Sequence, residues 1–125
     1  MPEQLICRRE HAILLKHVVA AHHFFSRLRG LLGRRQLALD EGLWIRPCHS
    51  VHTLGMRFAI AVVFLDHEQR ILRVLPELPP GRLSPVVAGA RSVLELHPDT
   101  CRASALSQGE HLDFVPRVPG QPASG

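Results

Sequence analysis

The stretch CHSVHTLGM, residues 48–56, places a cysteine and two histidines within five residues. Cysteine and histidine are the usual zinc ligands, and each ligand lies about 2.0–2.3 Å from the ion. In an extended segment Cys48 and His52 are ~13 Å apart, which is too far for a shared ion. In a helical turn that starts at Pro47 and ends at Gly55 the two side chains stack, and a metal site is possible. A third ligand would be His22, His23 or Cys101. No second pair has ligand spacing, so we expect neither a metal nor a cofactor.

The same stretch could instead supply a nucleophile, with Cys48 as the attacking thiol and His52 as its base. A reactive thiol needs a lowered pKa, and Arg46 and Arg57 lie close enough in sequence to favour the thiolate. The alternative is a buried and inert cysteine. The chain contains no phosphate-binding P-loop, no HExxH and no GxSxG motif. The sequence therefore leaves open whether the protein is an enzyme.

Arginines form a second candidate for chemistry. Arg27 and Arg34 lie on one edge of a predicted helix, and with Arg57 they could bind a carboxylate or phosphate. The alternative is a solvated helix face. Glu95 lies in the apolar run VLEL and could pair with one of these arginines. We expect the helix edge and residues 52–56 to face each other across a concavity. The predicted ligand-binding residues are Arg27, His52, Thr53, Met56, Arg57 and Glu95.

The elements that must position these residues are mainly strands. Runs rich in Val, Ile and Leu predict strands at residues 5–7, 12–20, 43–45, 58–65, 71–75, 92–96 and 111–115. The run at 58–65 is apolar throughout, which predicts a central strand buried on both faces. An amphipathic period predicts a helix over residues 23–35, and Pro98 predicts the start of a second helix that runs through Leu106 and is closed by Gly109. The four prolines of residues 76–85 predict a loop. The fold class that follows is mainly β: a compact jelly-roll-like sandwich or barrel with two short helices.

Length and composition predict one cytoplasmic domain. The chain has 125 residues, 46% of them hydrophobic, which is enough for a single core. We assign the β domain to residues 1–115 and a disordered tail to residues 116–125. The charged start is unlike a secretory signal, and Lys16 interrupts the longest apolar stretch at about half the ~20 residues that a membrane span needs. Three cysteines in such a chain predict reduced thiols.

The net charge of +4 is unevenly spread, since residues 1–60 carry +5 and residues 61–125 carry −1. Arginine outnumbers lysine fourteen to one and tyrosine is absent, which indicates a compositional bias of the source genome. Only five Phe and one Trp are present, mostly at apolar positions, so a platform for stacking bases is missing. We expect neither nucleic acid nor a membrane as partner.

Four blocks of the sequence resemble, in order, the domain of unknown function family 192 of bacteria and archaea. They are SRLRGLLGRRQL (26–37), GLWIRPCHSVHTLGMRFAIAVVFLD (42–66), SVLEL (92–96) and GEHLDF (109–114). The resemblance includes a Cys-x-x-x-His-Thr branch, matched by Cys48, His52 and Thr53. The family pattern has an acidic residue where this chain has Ala61. The resemblance implies a small, mostly-β fold of jelly-roll-like or barrel-like type, and no established reaction.

These observations predict a binding module for a small polar or anionic ligand, or for a partner protein. The alternative is an enzyme that uses Cys48 and His52 as nucleophile and base, or as metal ligands.

Overall fold

The computed structural model describes residues 3–21 and 36–118. This part of the chain is mostly β, with seven strands and one helix, here called α1. The elements are β1 (Gln4–Arg9), β2 (Ala12–Ala21), β3 (Glu41–Ile45), β4 (Ile60–Leu65), β5 (Ile71–Leu78), β6 (Ser92–Leu96), α1 (Pro98–Ser104) and β7 (Asp113–Pro116). The prediction of a mainly β fold is confirmed, and the arrangement is consistent with a sandwich-like fold.

All seven strands belong to one mixed sheet, in the order β5-β4-β6-β3-β2-β1-β7. Neighbours are antiparallel except β2 and β3, which pair in parallel from His17 opposite Glu41 to Ala21 opposite Ile45. The sheet is not closed. Its two ends nevertheless approach each other, because Arg70 at the start of β5 forms an isolated bridge with His111 just before β7. The sheet is therefore curled, with a bonded contact at one corner.

The strand β4 is the central strand that the apolar run predicted, and all six of its residues are buried. Since side chains alternate between the two faces of a strand, β4 contributes to two cores. Ala61, Val63 and Leu65 belong to a first cluster on one face of the sheet. Ile60, Val62 and Phe64 belong to a second cluster on the other face. The fully buried β6 divides in the same way, with Leu94 and Leu96 in the first cluster and Val93 in the second.

Two hairpins follow the sequence prediction. Glu10 and His11 join β1 to β2 with φ angles of 52° and 71°, the left-handed pair that suits a two-residue hairpin turn. Between β4 and β5 the Asp66 carboxylate accepts hydrogen bonds from the backbone N–H groups of Glu68 and Arg70, at 2.8 and 3.0 Å. These bonds lower the pKa of Asp66, the bond from Arg70 having the largest effect. The turn residues therefore fix the register of the strands that they join.

The predicted loop at residues 76–85 begins too early and is wrong at its start. The strand β5 continues through Pro76 to Leu78, with Ile60 opposite Leu78. A proline lacks the N–H that a central strand needs, but β5 is an edge strand of the sheet. Proline is therefore tolerated at this position.

The helix α1 begins as predicted at Pro98, and the ring of His97 caps it by accepting from the N–H of Asp99 at 3.0 Å. Its end differs from the prediction, because Ala105, with a φ of 49°, forms the left-handed cap instead of Gly109. Cys101 of this helix packs into the first cluster. The other predicted helix, residues 23–35, lies outside the described residues, as does the predicted tail beyond residue 118. No helix among the described residues is long and apolar enough to cross a membrane.

Candidate functional site

The segment of residues 48–56 is bent and non-helical. It follows a cis peptide bond between Arg46 and Pro47, and it turns at Gly55, whose φ is 82°. His52 forms an isolated antiparallel bridge with Leu83. The alternative of a helical turn with Cys48 and His52 stacked is therefore wrong.

Backbone hydrogen bonds tie this segment to residues 81–91, and we call the paired residues 48–53 and 81–91 the loop ribbon. At one end the Cys48 N–H donates to the Arg91 carbonyl at 3.0 Å. In the middle Ser84 N–H donates to the Val51 carbonyl, and the Val51 N–H donates to the Ser84 hydroxyl, both at 2.9 Å. At the other end the Thr53 N–H donates to the Arg82 carbonyl at 2.8 Å. The loop ribbon is thus held along its whole length.

Thr53, a predicted ligand-binding residue, is fully buried at the end of the loop ribbon. Its hydroxyl donates to the Pro79 carbonyl at 2.6 Å and accepts from the Arg82 N–H at 2.9 Å. Its own carbonyl accepts from the N–H groups of Met56 and Gly81. The Thr53 hydroxyl therefore uses both its donor and its acceptor function to bind the backbone of Pro79 and Arg82.

Met56 and Glu95, two further predicted ligand-binding residues, are both buried. Met56 packs in the second cluster, together with Val51 from the same segment and with Phe58, which follows the segment. Glu95 lies in β6 between Leu43 of β3 and Val62 of β4, and it is 0% exposed. Alternation along β6 places Glu95 on the face of the second cluster. The predicted residues Met56 and Glu95 therefore share one face of the sheet.

Cys48 and His52 line different cavities. Cys48 lines a cavity of about 560 Å³ with His49 and Arg91. His52 lines a neighbouring cavity of about 380 Å³ with Leu83 and other residues. Ser50 belongs to the linings of both, so the two cavities adjoin.

The hydrogen bonds of the Cys48 and His52 side chains bear on their predicted roles as nucleophile and base. The His52 Nδ1 accepts a hydrogen bond from the Leu54 N–H at 3.2 Å, which engages one of the two ring nitrogens. The Cys48 thiol donates to the Ser50 carbonyl at 3.0 Å. Neither contact activates the thiol for attack.

A metal site has little support among the described residues, in which no group of three or more His, Cys, Asp or Glu side chains could hold an ion. Cys101 packs in the first cluster, whereas Cys48 packs against the second, on the other face of the sheet. Cys101 therefore cannot be a third ligand beside Cys48. The other candidate ligands, His22 and His23, lie outside the described residues, and so does Arg27.

The electrostatic character of the loop ribbon is the feature that the sequence reasoning missed. Residues 46–58 and 79–91 contain four arginines and two histidines, with no aspartate or glutamate. Of these arginines, Arg46 pairs with Glu3 at 3.6 Å and lies over the Trp44 ring. Arg57, Arg82 and Arg91 are exposed, and they have no ion pair with any described residue. The signal in the sequence was the absence of acidic residues in two separate segments that the fold brings together.

Ala61, where the family pattern has an acidic residue, is fully buried in the first cluster. It lies opposite Leu96 in the ladder between β4 and β6. Its side chain therefore points away from the face that carries Glu95 and Met56.

Known proteins resemble this chain in sequence and in fold. The sequence model of the DUF192 family, described as "Uncharacterized ACR", matches residues 6–114. A crystal structure of a "putative transcription regulator" from Sinorhizobium meliloti 1021 superposes with a TM-score of 0.74 at 20% identity, covering 91% of this chain and 94% of that one. A protein of unknown function from Novosphingobium aromaticivorans DSM 12444 also has a TM-score of 0.74, at 13% identity, with 90% and 84% covered. No curated protein matches the sequence significantly. At these identities the two structures show a shared fold only.

Proposed function

The chain belongs to the DUF192 family, and we propose that it is a binding domain that recognises an anionic ligand through the loop ribbon. The observation that carries the proposal is the pair of arginines Arg82 and Arg91. Both are exposed on segments free of acidic residues, and neither has an ion-pair partner in the described parts of the chain. An arginine guanidinium presents several donors in a planar fork that fits carboxylates and phosphates.

Two other arginines of the protein, Arg8 and Arg102, contrast with these two. Arg8 pairs with Asp113 at 2.6 Å, and Arg102 pairs with both Glu77 and Asp99. The Asp66 carboxylate, near Arg91 along the sheet, is engaged by the backbone of its own hairpin. No described carboxylate thus forms an ion pair with Arg82 or Arg91, and this favours an anionic ligand.

The rigidity of the loop ribbon supports the same function. Its hydrogen bonds fix the backbone beside Arg82 and Arg91, so little conformational entropy of the backbone is lost on binding. The adjoining cavities of about 380 and 560 Å³ have the volume of small-ligand sites. The anionic class of ligand is thus favoured over a merely polar one.

The enzyme alternative has less support. Cys48 and His52 line different, adjoining cavities, and the Nδ1 of His52 already accepts a backbone hydrogen bond. A thiol and its base must lie within hydrogen-bonding reach of each other or of a shared substrate. The binding function needs neither side chain as a reactive group.

Calorimetric titration with inorganic phosphate, pyrophosphate and citrate at low ionic strength tests the proposal. We expect binding that weakens as salt is added, because exposed charges are screened. Arg82→Gln and Arg91→Gln should each weaken binding by about tenfold, as expected when one charge-assisted contact is lost. Arg73→Gln is the matched control, since Arg73 is exposed on β5 and is not a residue of the loop ribbon.

Cys48→Ala separates the two functions, because a binding site retains its affinity without the thiol and a cysteine nucleophile loses its activity. The proposal is rejected if none of the three anions binds. It is also rejected if Arg73→Gln weakens binding as much as the loop ribbon variants do.

A further inference from the structure

The loop ribbon exposes aliphatic side chains beside its arginines. The described residues include five large hydrophobic side chains that are exposed, and three of them are on or next to the loop ribbon. Leu83 is 71% exposed, Val86 is 70% exposed and Leu54 is 48% exposed. Such clustering on a small domain marks an interaction site more often than chance exposure. A small inorganic anion would leave these side chains in water, so the natural occupant has an apolar part as well.

Apolar and cationic residues follow one another along the loop ribbon. Arg82 directly precedes Leu83, which is bridged to His52, and Leu83 and Val86 line the same cavity. Arg91 is at the other end, bonded to Cys48 through its carbonyl. Cys48 and Thr53 are five residues apart in sequence and therefore at most about 17 Å apart, so all these groups lie within one short patch.

We propose that this patch docks on an anionic lipid bilayer. In this arrangement Leu54, Leu83 and Val86 enter the headgroup layer, while Arg82 and Arg91 contact lipid phosphates. Peripheral binding depends on the combination of buried apolar area and attraction to anionic lipids. The inference rests on the proposed function, because the same arginines bind the anion, and it names the lipid headgroup as the source of that anion.

Two observations favour a bilayer over other polyanions. Among the described residues, the phenylalanines that pack with Val51 in the second cluster, Phe58 and Phe64, are buried, so neither offers an exposed phenyl ring on which a base could stack. The absence of acidic residues over residues 46–58 and 79–91 removes the repulsion that an anionic surface would meet at close approach. The sequence-based expectation of no membrane partner rested on the lack of a spanning segment, which a surface contact does not need.

Co-sedimentation with vesicles of phosphatidylcholine, with and without phosphatidylglycerol, tests the inference on the full chain. We expect binding only when phosphatidylglycerol is present, and release at high salt. The double variant Arg82→Gln/Arg91→Gln should weaken the partition by about 25-fold, or about fivefold for each charge near the surface. Arg73→Gln should leave it unchanged.

A second pair of variants tests the apolar contact. Leu83→Ser/Val86→Ser should weaken binding to the same vesicles, and far-UV circular dichroism should confirm an intact fold because both residues are exposed. Leu39→Ser is the control, since Leu39 is 58% exposed and lines a different cavity with His11 and Lys16. Equal binding by the Leu83/Val86 variant and the wild type would mean electrostatic adsorption alone, and would overturn the docking.

Competition distinguishes this inference from the proposed function beneath it. If free phosphate or citrate binds but the vesicles do not, the anion site stands and the bilayer is wrong. If soluble poly-glutamate binds more tightly than the vesicles and displaces them, the partner is an acidic protein segment, and the bilayer is again wrong. If neither vesicles nor any soluble anion binds, both proposals are wrong.

Discussion

The three cysteines differ in what surrounds their thiols. Cys7 is 0% exposed in β1, and burial, with a smaller effect of the Asp113 charge, raises its pKa to about 12. Burial also raises the pKa of Cys101, and the positive charge of Arg102 lowers it by a smaller amount. Cys48 is only partly buried and lines an open cavity. Since the thiolate is the reactive form, Cys7 and Cys101 act as small apolar side chains.

Because the pKa of Cys7 is raised, the free energy of unfolding depends on pH in the alkaline range. The unfolded thiol ionises near 9.0, while the folded thiol keeps its proton to about 12. Above pH 9 the unfolded state binds fewer protons, so the free energy of unfolding falls as pH rises toward 12. One such thiol contributes a slope of up to ~1.4 kcal/mol per pH unit. The chain has no tyrosine and a single lysine, so few other side chains titrate in this range.

This pH dependence can be measured by urea unfolding of the wild type and of Cys7→Ala under reducing conditions. The measurement is repeated at several pH values from about 8 to 11. The variant loses packing contacts, so it should be less stable at pH 8, but its stability should fall less steeply with pH. The difference between the two proteins should therefore shrink as pH rises. Parallel curves would show that the Cys7 thiol does not carry the dependence.

At the scale of elements, the buried Thr53 hydroxyl secures one end of the loop ribbon. Thr53→Val keeps the shape of the side chain but leaves the Pro79 carbonyl and the Arg82 N–H without their partner inside the protein. We expect a loss of about 1–3 kcal/mol in the free energy of unfolding, the usual effect of unsatisfied buried groups. Because Arg82 is adjacent, anion binding should weaken too. Thr53→Ser retains the hydroxyl and should retain both stability and binding, as thermal unfolding and calorimetry can measure.

Among the described residues, elements that depend on residues close in sequence were predicted correctly, and features that depend on distant residues were not. The apolar run 58–65 predicted β4, and its turn predicted the β4–β5 hairpin, because these features depend on residues close in sequence. The edge position of β5, which permits Pro76, depends on which strands lie beside it, and no local pattern contains that information. Thr53 looked like a cleft residue because its hydrogen-bond partners, Pro79 and Arg82, are 26 and 29 residues away in sequence. The arginine-rich face was missed for the same reason, since its two halves meet only in the folded chain.

At the scale of the whole molecule, one sheet serves two cores. Every residue of β4 and β6 is buried, and successive residues of β4 face opposite clusters. On the first side, Trp44 stacks on Phe114 with ring centroids 3.9 Å apart, which joins β3 to β7 across the curled sheet. On the second side, the segment containing Met56 and Phe58 covers the sheet. Neither core can be lost without exposing strands that the other needs.

This shared sheet predicts a single cooperative unfolding transition, and the chain contains its own probe, since Trp44 is the only tryptophan. Ile60→Val removes a methylene group from the second cluster, on the side of the sheet away from Trp44. It should lower the free energy of unfolding by about 0.5–1.5 kcal/mol, equally by Trp44 fluorescence and by far-UV circular dichroism. Ile71→Val is the matched change in the first cluster. If the fluorescence transition responds to Ile71→Val but not to Ile60→Val, the two cores unfold separately. Equal shifts of the two transitions by both variants would show that the two cores unfold together. The loop ribbon, whose Val51 packs in the second cluster, would then be stabilised by the entire sheet.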